Sequence, residues 1–404
     1  MEPTTTFKFA TALPIWSAVL LFCAQQSYGQ NLRDPRLHPF GGIRAAAARA
    51  MAAQDGQLTT AAPLQEAQGR FISFDAPGAC TIATFPGCTA ALAINPLGEI
   101  LGYSVDSNGV PHGFLRGSNG TFTSFDVPGA TFYSLTMQFV GPPGTSLNLE
   151  GDATGGYSDA NGLYHGFVRD RHGAITTFDA PGAVNGTFPF SISALGEITG
   201  FFYDAKFFGH GFIREANGHI TEFDAPGAGS VTTACFLGLT YPQGINALGQ
   251  ITGQYYDSQC NVHGFLRDRN GAFTVVDVPN SADTFPTAIS DLGEITGNVV
   301  GAAAGNAFVR DWFGRYTVVE VPGVRDFGPL DINLFGVVVG SYLDANLVSH
   351  SFLWIPGVTL KMIDFPGAGT GQLDGTYATS ISPLGEVTGT YVTNGVFHGF
   401  LFLP

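Results

Sequence analysis

Six histidines and seven acidic residues recur at regular positions along the chain, and they carry the side chains with the most obvious potential for chemistry. The histidines stand before Gly-Phe or, once, before Ser-Phe: His112, His165, His210, His263, His350 and His398. The acidic residues are Asp75, Asp126, Asp179, Asp224, Asp277, Glu320 and Asp364. Imidazole and carboxylate groups hold a transition metal when several of them converge within about 2 Å of one ion. A metal site would therefore need copies from distant parts of the chain to meet.

The even spacing of these residues argues against such a meeting. In each copy that has both residues in this order, the acidic residue follows the histidine by 14 positions, as from His263 to Asp277. A residue that occurs once per structural repeat lies too far from its copies to share an ion with them. We therefore predict that the histidine ties its own β-strand, the third strand of each repeat, to a neighbouring loop. The aspartate is predicted to cap a turn before x-Pro-Gly. No metal and no cofactor is predicted.

These residues belong to a repeat that occurs seven times. Its most constant point is a turn glycine, at Gly98, Gly151, Gly196, Gly249, Gly293, Gly336 and Gly385. Successive glycines are 43 to 53 residues apart, and most of the variation falls between the acidic residue and the next glycine, which are 16 to 25 positions apart. Constant blocks joined by variable connections are typical of paired strands with surface loops. A period of this length with several short strands per unit is typical of a β-propeller.

Each constant block has the pattern of four antiparallel strands. The turn after strand one carries Asn or Ser first and Gly fourth, as in 95–98, which is the preference of a type I turn. Asn119-Gly120 and its equivalents are hairpin signals between strands three and four. The strands are rich in β-branched and aromatic residues, and no helical period occurs between residues 71 and 404. The sequence predicts an all-β, seven-bladed propeller of four-stranded blades, with 28 strands.

The two ends of the repeat array predict how the last blade is completed. The seventh copy stops after strand three, at 398–404, and an unmatched strand four stands at 71–78. We expect residues 71–75 to pair antiparallel with residues 398–403, because a spare strand and an open sheet edge satisfy each other.

The N-terminus and the composition indicate an exported protein. Residues 1–29 have Lys8, an apolar run from Ala12 to Cys23 and small residues before Gln30, which is typical of a secretory signal peptide, with an uncleaved anchor as the alternative. Residues 30–69 are rich in Ala, Gln and Pro and are predicted to be a flexible linker, although 43–53 could form a short helix. Residues 71–404 form the propeller. We expect a secreted, periplasmic or extracellular monomer with no membrane span after cleavage.

Charge excludes two classes of partner. The chain has 32 Asp and Glu against 17 Lys and Arg, a formal net charge of −15. Nucleic acids and anionic membrane surfaces are bound by cationic residues. We therefore predict no nucleic-acid partner.

Export permits disulfides. Four cysteines remain after the predicted cleavage: Cys80, Cys88, Cys235 and Cys260. Cys80 and Cys88 share one loop, and Cys235 and Cys260 lie in two connections on the same face of one blade. Local pairing, Cys80 with Cys88 and Cys235 with Cys260, is favoured over the other two connectivities.

Candidate binding residues are those that depart from the repeat, because function on a repeat scaffold concentrates at non-consensus positions. No nucleophile elbow, zinc-protease helix, phosphate-binding loop or EF-hand occurs, so no catalytic residue is predicted. Aromatic residues cluster instead in loops that share a face, where they could stack on sugar rings or an apolar partner. They are Phe132, Tyr133, Phe207, Phe208, Phe236 and Tyr241. Packing that anchors the loops is the alternative role.

The repeated His-Gly-Phe resembles the bacterial extracellular repeats of the HAF family, which are named for a His-Ala-Phe core. The likeness extends to the upstream Ile-Asn-x-x-Gly-x-Ile-x-Gly and the downstream Phe-Asp-x-Pro-Gly and covers residues 71–404. Gly replaces the central Ala in five copies, whereas Asn306-Ala307-Phe308 keeps that Ala and loses the His. The resemblance implies export and a propeller-like fold, and it supplies no catalytic residues.

Two functions follow from these observations, with a purely structural envelope protein as a third. The first is a secreted, non-enzymatic propeller that binds a glycan or an extracellular protein through loops on one face. The alternative is an exported hydrolase or lyase that acts on polysaccharide or a small metabolite. An enzyme should have two or three carboxylates or histidines that break the repeat and meet at the mouth of a central channel.

Overall fold

Short strands account for all the helical or extended structure in the described part of the chain. The computed structural model describes residues 65–81, 88–130, 146–229, 240–301, 307–319 and 325–404. We number the repeats 1 to 7 by their turn glycines, from Gly98 to Gly385.

The strands follow the predicted four-strand pattern. Those at the N-terminus and in repeats 1 to 3 are β1 (Gln65–Glu66), β2 (Arg70–Phe74), β3 (Thr89–Ile94), β4 (Ile100–Val105), β5 (Pro111–Arg116), β6 (Phe122–Phe125), β7 (Ala153–Ser158), β8 (Tyr164–Arg169), β9 (Ile175–Phe178), β10 (Thr187–Ile192), β11 (Ile198–Tyr203), β12 (Gly209–Arg214) and β13 (Ile220–Phe223). Those in repeats 4 to 7 are β14 (Thr240–Ile245), β15 (Ile251–Tyr256), β16 (Val262–Arg267), β17 (Phe273–Val275), β18 (Asp283–Ile289), β19 (Ile295–Val300), β20 (Ala307–Arg310), β21 (Tyr316–Val319), β22 (Arg325–Ile332), β23 (Val338–Leu343), β24 (Ser349–Ile355), β25 (Thr359–Met362), β26 (Gly375–Ile381), β27 (Val387–Thr393) and β28 (Val396–Leu403).

Repeats 1, 3, 4 and 5 each form a four-stranded sheet in which strands pair in sequence order, all antiparallel. Repeat 2 has three strands, and its first strand is represented by one bridge between Leu147 and Ala153. The sheets of repeats 6 and 7 join into one nine-stranded sheet through a single parallel pair, Ser349 with Gly375. The described residues thus contain 28 strands, but not the predicted set, because β1 lies inside the predicted linker and pairs parallel with β25.

Because successive strands alternate in direction, their connections alternate between two faces of the molecule. The turn face carries the connections from strand one to two and from three to four. The loop face carries those from strand two to three and from strand four to the next repeat.

On the turn face, the residue that opens the strand 1–2 turn also bridges neighbouring repeats. Asn95 Oδ1 accepts hydrogen bonds from the backbone N–H groups of Leu97 and Glu99, both at 3.0 Å. Its Nδ2 donates to the carbonyl of Asn148 in repeat 2, at 3.1 Å. Gly98 closes the turn at φ +74°, which glycine adopts without strain. Asn at this position therefore holds its own turn and the next repeat together.

Neighbouring repeats are also joined through their first strands, each of which has a bulge near its end. Residues beside the bulge reach the next first strand. Asp331 is 4% exposed, and its Oδ2 accepts from Ser380 Oγ at 2.9 Å and from the Ile381 N–H at 3.0 Å. Ser380 Oγ in turn accepts from the N–H of Ile94, which links repeat 7 to repeat 1. These contacts run from one repeat to the next without using the outer strands.

The unmatched N-terminal strand completes repeat 7 as predicted. β2 pairs antiparallel with β28, with Phe71 opposite Phe402 and Phe74 opposite Gly399. Asp75 then bonds His398, in the place that the aspartate of strand four has in the other repeats.

Packing of the phenylalanines explains the Gly of His-Gly-Phe. The Phe of this motif, and its equivalents in repeats 5 and 6, is at most 1% exposed at Phe114, Phe167, Phe212, Phe265, Phe308, Phe352 and Phe400. The preceding glycine lies under the aromatic ring of strand four, so that a Cβ at Gly166 would approach the Phe178 ring to 2.7 Å. In repeat 5 the opposing residue is the smaller Val319, and Ala307 is accommodated. Glycine is therefore required where an aromatic ring opposes it, whereas repeat 4 has Gly264 although its strand-four residue is Val276.

A second set of contacts between repeats was not predicted. The arginine that ends strand three lies over the strand-four phenylalanine of the preceding repeat, with guanidinium carbons 4.8 to 5.2 Å from the ring centroids. The pairs are Arg116 with Phe74, Arg169 with Phe125, Arg214 with Phe178, and Arg267 with Phe223. Burial lowers the pKa of these arginines. A partly desolvated cation over an aromatic ring contributes about 1–2 kcal/mol, so these pairs help to fix each sheet against its neighbour.

Candidate binding face

The repeated histidines lie on the loop face, where each bonds an aspartate through Nδ1. Strand three begins at this face and strand four ends there, so residues 14 positions apart become neighbours. The Nδ1–Oδ distances are 2.7 Å for His112–Asp126, 2.9 Å for His165–Asp179, 2.9 Å for His210–Asp224, 3.2 Å for His263–Asp277, 2.6 Å for His350–Asp364 and 2.9 Å for His398–Asp75. The partner of each histidine is thus the aspartate at the end of strand four, not a residue of a neighbouring loop. The aspartate therefore does more than cap a turn.

In several repeats a second carboxylate faces the other ring nitrogen. It comes from the strand 2–3 turn, and in repeat 4 Asp257 Oδ2 lies 3.1 Å from His263 Nε2. The imidazole also stacks on an aromatic residue of strand two, as His263 does on Tyr255 with centroids 5.4 Å apart. In the described part of the chain, no three His, Cys, Asp or Glu residues are arranged to hold a metal ion. Each histidine therefore has its own carboxylate and aromatic neighbours.

In repeats 3, 4 and 6 the electrostatics of the pair favour the imidazolium form. The hydrogen bond to Asp224 raises the pKa of His210, and the bond to Asp364 does the same for His350, both against the effect of burial. Burial lowers the pKa of His263, but its bonds to Asp257 and Asp277 outweigh that effect and leave the pKa raised. For Asp257, burial raises the pKa, while the Asn261 and His263 hydrogen bonds bring it down to about 2. Such pairs work as charge-assisted links between strands.

Phe207, like Cys260 and Leu347, is a non-glycine residue at positive φ in a strand 2–3 turn, and it is the exposed one of the three. It is 61% exposed and has φ +62°, in the left-handed region. The equivalent turn position is Gly109 in repeat 1 and Gly162 in repeat 2, both also at positive φ. A non-glycine residue in this conformation costs about 1 kcal/mol or more. Repeat 3 therefore holds a large apolar side chain in solvent on a strained turn.

Phe208 and Tyr241 are brought together, but in a packed cluster. Its buried members are Phe188, Phe190, Phe201 and Tyr241, and its partly buried members are Tyr164, Tyr203, Phe208 and Tyr256. Tyr241 is 1% exposed, with its hydroxyl 3.1 Å from that of Tyr203. Lys206 Nζ lies 5.8 Å from the Phe208 ring. Tyr241 thus offers no stacking surface, because it fills the interface between the sheets of repeats 3 and 4, while Phe208 borders the cluster beside Phe207.

The other three predicted aromatic residues, Phe132, Tyr133 and Phe236, lie outside the described residues. That these aromatic residues form one cluster was not predicted from the sequence. Its sequence signal was the aromatic run 201–203 in strand two of repeat 3 and the pair 255–256 in repeat 4. These runs do not show by themselves which residues from different repeats share an interface.

Disulfide bonding matches the local pairing where it can be followed. Cys80 and Cys88 form a disulfide with a Cα–Cα distance of 4.9 Å, as predicted. Cys260 is disulfide-bonded as well, and its predicted partner Cys235 lies outside the described residues. A disulfide of this kind indicates an oxidising, extracellular environment. Across the described ranges, no helix is long and apolar enough to cross a membrane.

Solved structures with this arrangement of sheets are β-propellers. A streptogramin B lyase aligns with a TM-score of 0.51 at 15% identity, over 83% of this chain and 98% of the lyase. A catalytically inactive variant of virginiamycin B lyase from Staphylococcus aureus, solved with quinupristin, aligns with a TM-score of 0.52 at 13% identity, over 83% and 100%. The β-propeller domain of the Trilobed protease from Pyrococcus furiosus aligns with a TM-score of 0.51 at 9% identity, over 78% and 95%.

At these identities the likeness establishes the fold alone. The chain is an all-β protein of the β-propeller class. No family model matches it, and no curated protein matches it either.

Proposed function

We propose that this chain is a secreted, non-enzymatic β-propeller that binds a glycan or an extracellular protein through the loop face. The observation that carries the proposal is Phe207, which is exposed and held at positive φ where repeats 1 and 2 have glycine. Strain that the fold does not need is a reason to suspect function. An exposed aromatic ring suits stacking on a sugar ring or on an apolar side chain.

The surroundings of Phe207 support a preformed site. Lys206 and Phe208 flank Phe207 in the chain. The aromatic cluster beneath them is tightly packed, with the ring centroids of Phe188 and Phe201 4.9 Å apart. A rigid base lowers the ordering cost of binding. The described residues contain no arrangement that specifically favours the hydrolase or lyase alternative: Asp331 breaks the repeat, but it is buried and its oxygens accept hydrogen bonds from Ser380, Ile381 and Ile332.

The proposal includes the finer architecture. Seven blades close into a ring, with β2 as the outer strand of the last blade, and the contact between Ser380 and Ile94 is consistent with closure. Residues 1–29 are a signal peptide, 30–69 a linker and 71–404 the propeller, in a monomer of the HAF repeat kind. The disulfides agree with export.

The test compares Phe207→Gly with the unmodified exported protein on a glycan array and, in parallel, on an array of extracellular proteins. Binding to the same spots should fall at least about tenfold, which corresponds to the loss of one stacking contact of about 1.4 kcal/mol. The melting temperature should rise, because glycine relieves the turn.

Leu347→Gly is the matched control. Leu347 has φ +63° in the equivalent turn of repeat 6 and is only partly exposed. This variant should gain stability and keep full binding. Unchanged binding by Phe207→Gly, or equal loss in both variants, would refute the proposed site.

A further inference from the structure

Exposed leucines recur on the turn face, opposite to the proposed binding site. The residue before the turn glycine is Leu or Phe in six of the seven repeats; repeat 2 has Glu150 there, and its leucine, Leu149, stands one position earlier. A leucine of this turn is largely exposed in five repeats: Leu97 59%, Leu149 42%, Leu195 57%, Leu248 47% and Leu384 72%. We call these five residues the leucine arc.

The turns do not need these side chains. In repeats 1, 3, 4 and 7 the turn uses the backbone N–H of the leucine, which donates to the first residue, as Leu248 N does to Asn246 Oδ1 at 3.1 Å and Leu384 N does to Ser382 Oγ at 3.2 Å. Any residue except proline supplies that group. Polar residues and glycine are the usual choice in turns, so a large exposed leucine at one position of four turns, and beside it in a fifth, indicates a contact that the described residues do not contain.

The five leucines stand on consecutive repeats, 7, 1, 2, 3 and 4. Repeat 7 touches repeat 1 through Ser380 and Ile94, and repeats 1, 2 and 3 are linked through Asn95 and Asn148. Repeat 3 touches repeat 4 through Ser191 Oγ and the Ile245 N–H, at 3.1 Å. The turns that carry the leucines therefore follow one another along the inner strands.

The arc is bordered by acidic residues. The residue after the turn glycine is Glu386, Glu99, Asp152 and Glu197 in repeats 7, 1, 2 and 3, and Gln250 in repeat 4. Arg171 and Arg269 pair with Glu150 and Glu197. An occupant should thus be apolar and carry positive charge.

The chain before residue 65 has this chemistry and enters on this face. β1 runs parallel to β25, with Gln65 opposite Lys361 and Glu66 opposite Met362. Because β25 runs from the turn face towards the loop face, the parallel β1 begins at its turn-face end. Residues 30–64 carry four arginines and two aspartates, in a chain of net charge −15. Within them, 43–53 reads Ile-Arg-Ala-Ala-Ala-Ala-Arg-Ala-Met-Ala-Ala.

The distances permit the contact. Three strand spacings of about 4.8 Å separate the outer from the inner strand of a sheet, about 14 Å. The 13 residues between Met51 and Gln65 can span about 40 Å when extended. A tether of this length also gives the segment an effective concentration in the millimolar range.

We infer that residues 43–53 dock on the leucine arc, with Ile43 and Met51 against the leucines and Arg44 and Arg49 against the acidic border. This is an interaction of the chain with its own turn face. It is independent of the proposed function, because the loop face takes no part in it.

The test is limited trypsin digestion of the exported full-length chain, in which the bond after Arg36 serves as an internal reference. Cleavage after Arg44 and Arg49 should be at least about tenfold slower than cleavage after Arg36, since a docked segment must open before it is cut. A variant with Leu97→Ser, Leu195→Ser and Leu384→Ser should lose this difference. The control is Leu163→Ser, an exposed leucine on the loop face, which should leave it unchanged.

Equal cleavage after Arg36, Arg44 and Arg49 in the unmodified chain would overturn the inference. Protection that persists in the triple variant, with native circular dichroism, would overturn it too. Light scattering distinguishes the other occupant: a dimer that the triple variant abolishes would assign the arc to a second copy of the chain instead.

Discussion

The turn face and the loop face are built from the same strands, yet they use their polar residues differently. On the turn face, Asn95 and Asn148 reach from one repeat to the next and hold neighbouring sheets together. On the loop face, His112 and its equivalents bond an aspartate of strand four within the same sheet. The connections from strand four to the next repeat all lie on the loop face, and they vary in length.

This difference teaches how a repeat protein can vary without losing its fold. Polar contacts between repeats recur at equivalent positions on the turn face and the first strands, whereas those on the loop face are individual, as from the Val262 N–H to Asp283 Oδ1 at 2.8 Å. A residue such as Phe207 can then replace a glycine in one repeat without disturbing its neighbours. The following predictions test that division, from the largest expected effect to the smallest.

Removing β2 should affect both the turn face and the loop face. Deletion of residues 1–76 leaves the edge of β28 unpaired and removes the ring of Phe74, which is 8% exposed, from beneath Arg116. We expect the free energy of unfolding to fall by about 5 kcal/mol or more, since ladder and apolar burial are lost together. Urea denaturation followed by fluorescence measures it. Deletion of 1–64, which keeps β1 and β2, is the control, and equal midpoints for both proteins would show that β2 adds nothing.

Asp331 should make the links between first strands sensitive to pH. Burial raises its pKa from 3.8 to about 6. Because the folded pKa lies above the unfolded value, the protonated carboxyl of Asp331 stabilises the folded state. This contribution is complete below pH 3.8 and is lost as pH rises through about 6, up to about 3 kcal/mol. We expect Asp331→Asn to flatten the change in unfolding free energy across this window. The slope is measured by urea titration at several pH values, and an identical slope in both proteins would contradict the prediction.

Asn246 tests the turn face alone. It is 2% exposed, accepts from the N–H groups of Leu248 and Gln250, and donates to the carbonyl of Ser290 in repeat 5. Asn246→Ala leaves these groups unsatisfied and should cost about 2–3 kcal/mol. Asn246→Ser should cost less, because Ser193 keeps the equivalent turn in repeat 3 with two bonds of 3.2 Å. Equal losses in a thermal melt would mean that the turn hydrogen bonds contribute nothing and that the whole effect comes from the bridge to repeat 5.

His263 tests the loop face and should have the smallest effect. Its pKa is raised above 6.5, so its contribution is fully present below pH 6.5 and declines as pH rises through the folded value. His263→Gln should lower the melting temperature by a few degrees at pH 6 and by less at pH 9, about 1 kcal/mol at most. Calorimetry at both pH values decides it. An equal loss at both pH values would show that the imidazole acts mainly by packing on Tyr255.

Much of the fold could be predicted from periodicity. Strand positions, turn residues, the pairing of β2 with β28 and the Cys80–Cys88 disulfide all follow from spacing within one repeat or from comparing the two ends of the array. What could not be predicted depends on contacts between repeats. The stacking of Arg169 on Phe125 and the carboxylate of Asp331 between first strands join residues whose separation varies with loop length.

The candidate site was less accessible to prediction for the same reason. Phe207 could be singled out because it replaces a glycine in a recognisable turn. Tyr241 departs from the repeat equally, but it faces Phe201 of the preceding sheet at 4.6 Å and is buried there. A departure from consensus thus identifies a residue in a special environment, and only the packing of neighbouring sheets shows whether that environment is solvent or core.

The position of β2 also sets the order of events during synthesis. Asp75 meets His398, which is 323 residues later in the chain. While the chain is still emerging, strand four of the last repeat exists and strand three does not, so Phe71 and Phe74 wait without their partners. Chaperones and proteases thus have their longest access to the N-terminal strand, and an aborted chain that lacks residues 396–403 would leave that strand exposed and without its partner.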